Sequence, residues 1–318
     1  MGATTGSREH SQGVALCLAS AVGFGLMAIL AKEAYAAGLD VTTVLVLRFA
    51  IAAAAFWLIV AARRPVWPSR RVVLGGLALG GAGYAAQAGL FFGALTHIDA
   101  SLTSLLLYTY PALVFLVALA LGRERADRRR SGALVLASGG AALVLLGGGT
   151  GALEPVGVAM ALGAAVVYTA YILVADRILG HIDTFLLSAL IATGAFVSFS
   201  VFAAASGGVS LGFQPHGWLV VVALSLVSTV MPVTAFMLGL PKVGPATASI
   251  VSTAEPVVTV TLAMVVFGER LGPVQAVGGA LVLGAVVLLQ TRGKVRSDAA
   301  SPDLPAPTPA RPLAQHAA

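Results

Sequence analysis

Between Gly13 and Gln290 the chain is built from apolar runs, separated by short stretches where charges, Gly and Pro collect. A hydrocarbon core about 30 Å thick is crossed by about 20 helical residues rising 1.5 Å each. About ten runs reach or approach that length: Gly13–Ala31, Val41–Ala61, Val72–Ala94, Ala100–Leu121, Ser131–Leu146, Pro155–Val174, Thr184–Ala204, Trp218–Gly239, Pro245–Phe267 and Leu271–Gln290. The fifth is short and has Gly-rich neighbours, which a tilted or locally thinned bilayer accommodates. Charged residues make up 10% of the chain, against about 25% in a soluble domain. Backbone polar groups in lipid must be satisfied within their own segment, so runs of this kind fold as helices. The expected class is an all-α, multi-pass membrane protein. The first run is longer than a signal-peptide core and leads into Lys32-Glu33 with no small-residue cleavage box, so it reads as a retained helix.

The basic residues set the orientation. With the N-terminus in the cytoplasm, the inner loops receive Arg63, Arg64, Arg70, Arg71, Arg123, Arg125, Arg128, Arg129, Arg130, Arg177, Lys242, Arg292, Lys294, Arg296 and Arg311, together with Arg8. The outer loops receive only Lys32 and Arg270. This is the positive-inside distribution for a protein with both termini cytoplasmic. It accounts for the net charge of +6 through topology and anionic inner-leaflet lipids, with no nucleic-acid partner needed. Residues 1–12 read as an N-terminal cytoplasmic segment. Residues 292–318, rich in Pro, Ala and Ser without periodicity, read as a disordered cytoplasmic tail.

The two halves repeat each other. TSLLLYTYPALVFLVALALGRER from Thr103 aligns without a gap on ASIVSTAEPVVTVTLAMVVFGER from Ala248. Ser104 meets Ser249, Pro111 meets Pro256, Glu124 meets Glu269 and Arg125 meets Arg270; the same offset brings Gly139 onto Gly284. Each unit holds an odd number of spans, about five, so the second copy inserts upside down and the pair forms inverted repeats. The units are residues 13–147 and 155–291, joined by residues 148–154. Two tandem units, each with a central proline in its fourth helix and an acidic residue closing it, resemble the EamA type of the drug/metabolite transporter superfamily. The resemblance implies a ten-helix carrier of the bacterial inner membrane with a central cavity between the units. It further implies export of amino acids, other metabolites or drugs. Nucleotide-sugar and triose-phosphate carriers are relatives, so a phosphate-metabolite carrier is an alternative.

Charges within spans are expensive and persist where they face a cavity or a partner. Glu255 lies mid-way along the ninth span, before Pro256, and reads as a proton acceptor, a site for a substrate ammonium, or a structural carboxylate. Its repeat partner is the neutral Tyr110. Arg48, about a third of the way into the second span, reads as a carboxylate or phosphate clamp, or as a structural cation that snorkels or holds Glu255. Lys32, where similar carriers often have a lysine, reads as a substrate contact at the cavity mouth or as an interfacial anchor. Pro111 and Pro256 free the carbonyls of Leu107 and Ser252 at mid-depth, and paired broken helices point to a transport site. Tyr84 with Gln87, and Tyr168 with Tyr171, lie three residues apart on shared helix faces. With Tyr108 and Tyr110 they suggest a polar, aromatic-lined pocket for a small-molecule substrate. Gly76 with Gly80, and Gly89 with Gly93, allow close helix approach.

Several classes are not expected. The Gly147–Gly151 run has neither GxxxxGK[ST] nor GxGxxG register, so no nucleotide or other cofactor is expected. The lone Cys17 and the scattered His97, His181 and His216 suggest no metal site. With no HExxH, GxSxG or paired-Asp motif the chain does not read as an enzyme. Secondary-active transport, with proton coupling through Glu255, or facilitated diffusion is the primary reading. A non-transporting membrane scaffold or sensor is the competing class, and the oligomeric state is not legible.

Overall fold

A computed structural model describes residues 2–121, 128–146, 154–178 and 182–290. Glu124, Arg125, the Gly147–Gly151 link and the 292–318 tail lie outside the described residues. The described chain is all-helical: α1 (Gly2–Gly25), α2 (Met27–Ala36), α3 (Val41–Arg63), α4 (Arg70–Ala78), α5 (Ala85–Ala94), α6 (Ala100–Leu107), α7 (Tyr110–Ala120), α8 (Arg128–Leu146), α9 (Pro155–Ile178), α10 (Thr184–Ala205), α11 (His216–Ser225), α12 (Met231–Ser252), α13 (Ala254–Phe267) and α14 (Pro273–Gln290). Two π-helical turns, Leu79–Tyr84 and Leu226–Val230, join α4 to α5 and α11 to α12. Taken through their breaks, eight helices are long and apolar enough to cross a membrane. Ser131–Leu146 and Pro273–Leu288 are shorter apolar helices.

Local chemistry explains most of the boundaries. Asp40 caps α3, its carboxylate accepting from the Thr43 N–H at 2.9 Å and the Thr43 hydroxyl at 2.7 Å. Asp183 caps α10 by accepting from the N–H groups of Phe185 and Leu186 at 3.0 and 3.1 Å. Each cap satisfies donors that would otherwise be orphaned at a helix start. Gly244, at φ 77°, turns the chain between the apolar stretches His216–Gly244 and Ile250–Phe267, a conformation only glycine adopts without strain. Pro111 and Pro256 each sit in the first turn of the helix that follows a break, where a missing N–H costs no intrahelical bond. The first span, expected as one run, is instead two helices meeting at Leu26. Beside that joint the Gly25 carbonyl accepts from the Thr259 hydroxyl at 3.0 Å.

Packing pairs the spans across the chain: α3 lies along α10, α8 along α14, α1 along α12 and α5 along α9. Phe49, Leu45, Phe92, Leu186, Leu190 and Leu224 form the fully buried centre. Leu58, Leu219 and Val265 face outward at 73%, 75% and 76% exposure, as expected when the surrounding solvent is lipid. Arg63 at one end of α3 stacks on Phe185 at 4.6 Å, and Thr43 at the other end accepts from the Ser210 N–H at 3.1 Å. α3 and α10 are therefore antiparallel, and the start of α10 lies at the opposite end of the bundle from Asp40.

The Arg70–Ala94 span and α10 approach closely. A Cβ on Gly80 would meet the Ile191 backbone, and one on Gly194 the Leu77 carbonyl oxygen. Gly139, by contrast, faces open space. Gly194→Val should destabilise the fold by about 1–3 kcal/mol through overpacking. It should lower the unfolding temperature in detergent, while Gly139→Ala leaves that temperature unchanged or slightly raised. Equal effects of the two changes would contradict the packing described.

Candidate functional site

Two adjoining cavities open between the helices at mid-depth, of about 110 and 440 Å³. Both are lined by Tyr84, Tyr108, Tyr110, Tyr168 and Glu255. The smaller also has Arg48 and Gln87, and the larger has Tyr171 and Ser252. Nine of the residues singled out from the sequence thus line the cavity system, although they come from five different spans. The larger cavity extends to Thr184 and Ser188, in the first turns of α10.

The helix breaks meet here. The Tyr108 hydroxyl, at the break between α6 and α7, donates to Glu255 Oε2 at 2.8 Å and lies 3.3 Å from the Ser252 carbonyl oxygen. That carbonyl is four residues before Pro256, which has no N–H to offer it, so the hydroxyl's single proton is placed between two acceptors and lies closer to Glu255. An aromatic series runs on from this point. Tyr108 meets Tyr110 edge-on (ring centroids 5.8 Å apart), Tyr110 meets Tyr168 at 4.7 Å, Tyr168 stacks on Tyr171 at 5.8 Å, and Tyr171 meets Tyr84 at 5.7 Å. Tyr84 then meets Phe49 edge-on at 5.7 Å. Phe49 lies under the Arg48 guanidinium, 4.9 Å from it, and Phe92 faces the same guanidinium at 4.9 Å. Arg48 Nε donates to the Thr229 hydroxyl at 3.0 Å. Thr229 belongs to the Leu226–Val230 π turn and Tyr84 closes the Leu79–Tyr84 π turn, so both irregular turns deliver a side chain to this region. Such turns often accompany functional sites.

Arg48 and Glu255 therefore border one cavity system without forming an ion pair among the described residues. Lys32 lines neither cavity. Its ammonium pairs with Glu269 at 3.2 Å and reaches Asp99 at 4.0 Å, with the Phe267 ring 5.7 Å away. Glu269 also accepts from the Ala100 N–H at 2.9 Å, the Ser101 N–H at 3.0 Å and the Ser101 hydroxyl at 2.7 Å. One carboxylate thus caps α6 and ties α2, α6 and the end of α13 together at the end of the bundle away from Thr184. The repeat alignment marked Glu269 as a recurring residue, but its partners lie about 170 and 240 positions earlier in the chain and no spacing rule reaches them.

The EamA-like transporter family matches twice, over residues 11–146 and 155–291. The chain belongs to that family. A relative from Bacillus subtilis (strain 168), the uncharacterized transporter YcbK, is 27% identical over 289 residues, covering 85% of this chain and 90% of the relative. A solved crystal structure of a protein superposes with a TM-score of 0.61 at 20% identity, covering 87% of this chain and 96% of that one. This last likeness concerns the fold alone.

Burial raises the Glu269 carboxyl, but the Ser101 hydroxyl, the N–H groups of Ser101 and Ala100, and Lys32 together outweigh it and hold the group below the ordinary carboxylate range. A depressed folded value means stabilisation that is complete above the unfolded value of about 4.3 and is lost as pH falls through the folded one. Glu269→Gln should therefore lower the unfolding temperature at pH 7, removing charge-assisted hydrogen bonds worth about 1.5–3 kcal/mol each. The gap from wild type should close below about pH 4 as the native carboxylate protonates. A gap that stays constant from pH 7 to pH 3 would contradict this role.

Proposed function

We propose that the protein is a secondary carrier that moves small organic metabolites across the bacterial cytoplasmic membrane by alternating access, in the direction of export. The observation that carries the reading is the cavity system at mid-depth. It is bordered by both repeat units, holds an unpaired Arg48 and Glu255, reaches toward Thr184, and is backed at the other end by the Glu269 cluster. Such an arrangement suits a state open to one side only. The repeat-matched pairing of α3 with α10 and of α8 with α14 supports ten spans arranged as two inverted units, with the short α8 and α14 as the fifth and tenth. Arg63, Arg64, Arg70 and Arg71 gather at the Thr184 end, whereas Asp40, Asp99 and Glu269 gather at the other. By the positive-inside rule the Thr184 end is cytoplasmic, as are both termini. The cavity then opens inward, where an exporter collects its substrate.

The chain does this without making or breaking covalent bonds. No nucleotide-binding motif accompanies the bundle in the sequence, so the drive is a substrate or ion gradient. Glu255, bonded to Tyr108 and bordering both cavities, is the candidate proton-coupling group. A nucleotide-sugar or phosphate cargo is less well matched, because Arg48 is the one basic residue among the cavity-lining residues and Glu255 shares the space.

Comparison of metabolites in cells lacking and overproducing the protein should reveal a solute retained in the first and enriched in the medium of the second. No redistribution of any solute would favour a scaffold or sensor. In proteoliposomes with an imposed pH gradient, Glu255→Gln should lose gradient-driven accumulation of that solute by about tenfold or more, the scale of a lost coupling of about 1.4 kcal/mol. An unchanged rate and pH dependence would reject Glu255 as the coupling group.

A further inference from the structure

Arg48 is 1% exposed and lies seven residues into α3, about 10 Å along the helix from its start. The surroundings satisfy it only in part. Nε has Thr229, the Tyr84 hydroxyl bonds the guanidinium, and its face has Phe49 and Phe92, but Nη2 has no hydrogen-bond partner. No carboxylate among the described residues lies within ion-pair distance of it. A buried cation kept for structure alone would have a matching anion, since removing a charge from both water and counter-ion is the costliest arrangement a fold can hold. Snorkelling does not account for it either, because the group does not reach the surface. Glu255 is not the missing anion in this arrangement, because its carboxylate bonds Tyr108 and makes no ion pair with Arg48.

The free nitrogen belongs to a residue that lines the 110 Å³ cavity together with Tyr84, Gln87 and Ser104. We infer that Arg48 is the anion-recognising group of the transport site, and that the substrate carries a single carboxylate on an aromatic or otherwise apolar body. The inference rests on the carrier reading above. A planar guanidinium fork matches a carboxylate in shape and supplies charge-assisted bonds that are strong in a dry site. The smaller cavity, into which Arg48 faces, has ample room for a carboxylate head. The larger one, walled by Tyr84, Tyr110, Tyr168 and Tyr171, offers faces against which a ring or alkyl body packs. One guanidinium with Glu255 in the same cavity system disfavours a phosphate dianion, which would meet one positive charge and one repelling one. Arg48 thus recognises the head group, while the tyrosines accept variation in the body.

The test uses full-length protein in lipid nanodiscs, with 3-phenylpropionate and the isosteric, uncharged 3-phenylpropionamide as probes, read by thermal stabilisation and titration. Wild type should be stabilised by the acid and bind the amide at least tenfold more weakly. Arg48→Gln should lose that preference, its affinity for the acid falling at least tenfold to the level of the amide. Arg48→Lys keeps the charge without the fork and should fall between the two. The acid–amide comparison on wild type requires no variant, so misfolding of a substitution does not protect the inference. Equal binding of acid and amide, binding of neither, or undiminished binding of the acid by Arg48→Gln overturns it. The two readings fail separately. If the cells export a solute that is uncharged or cationic, or Arg48→Gln exports it at the wild-type rate, the Arg48 assignment is wrong and the carrier stands. If no solute is exported but the acid still binds through Arg48, the site stands and the carrier reading falls.

Discussion

A helix broken in hydrocarbon needs a partner for every backbone group it releases. In this protein the partner is drawn from a second broken helix. The Tyr108 hydroxyl, itself at a break, approaches the Ser252 carbonyl that Pro256 sets free and binds the adjacent Glu255. The break between α6 and α7 thus meets the break between α12 and α13. The cavities, the aromatic series and the placement of Arg48 are arranged around that meeting. The interior polarity of the bundle therefore follows from the same two prolines that the repeat alignment brought into register.

The second constraint is electrostatic and divides the molecule along its length. At one end, Glu269 gathers Lys32 and the first N–H groups of α6, so its charge is matched by a cation and by a helix N-terminus. At the cavities, Arg48 and Glu255 remain apart, Arg48 held by the Thr229 and Tyr84 hydroxyls and Glu255 by that of Tyr108. Saturated charges at an end hold helices in place. Unsaturated charges beside a cavity leave capacity for something that comes and goes. Both kinds occur in one chain because the Glu269 cluster lies beyond the last turn of α13, where several N–H donors are available, whereas Arg48 is surrounded by rings.

Much of the fold was legible in the sequence because hydropathy and length suffice in lipid. The span limits drawn at Val41, Ala100, Thr184 and Phe267 coincide with helix ends, and Asp40 and Asp183 mark starts by cap chemistry that sequence carries locally. The polar candidates were legible for a related reason: an Arg, a Glu or a tyrosine pair is rare enough within a span to be conspicuous. What escaped depends on contacts between distant segments. The π turns at Leu79–Tyr84 and Leu226–Val230 have no residue signature, the joint at Leu26 lies in an unbroken apolar run, and reading Lys32 as a cavity-mouth contact or an interfacial anchor could not anticipate Glu269 some 237 positions away. For Arg48, only the fold distinguishes a free Nη2 from one held by Glu255.

The account stands on a cavity that water reaches halfway through the bilayer. Cysteine accessibility measures this directly, since Cys17 is the only native cysteine and its buried thiol can be replaced by alanine. In that background, in nanodiscs, Ser252→Cys lines the cavity, whereas Val257→Cys, one and a half turns further along the same span, stands at a 50% exposed position facing outward. Rapid labelling of Ser252→Cys by a water-soluble maleimide, with Val257→Cys inert, is the predicted result. Ser252→Cys as unreactive as Val257→Cys would contradict it.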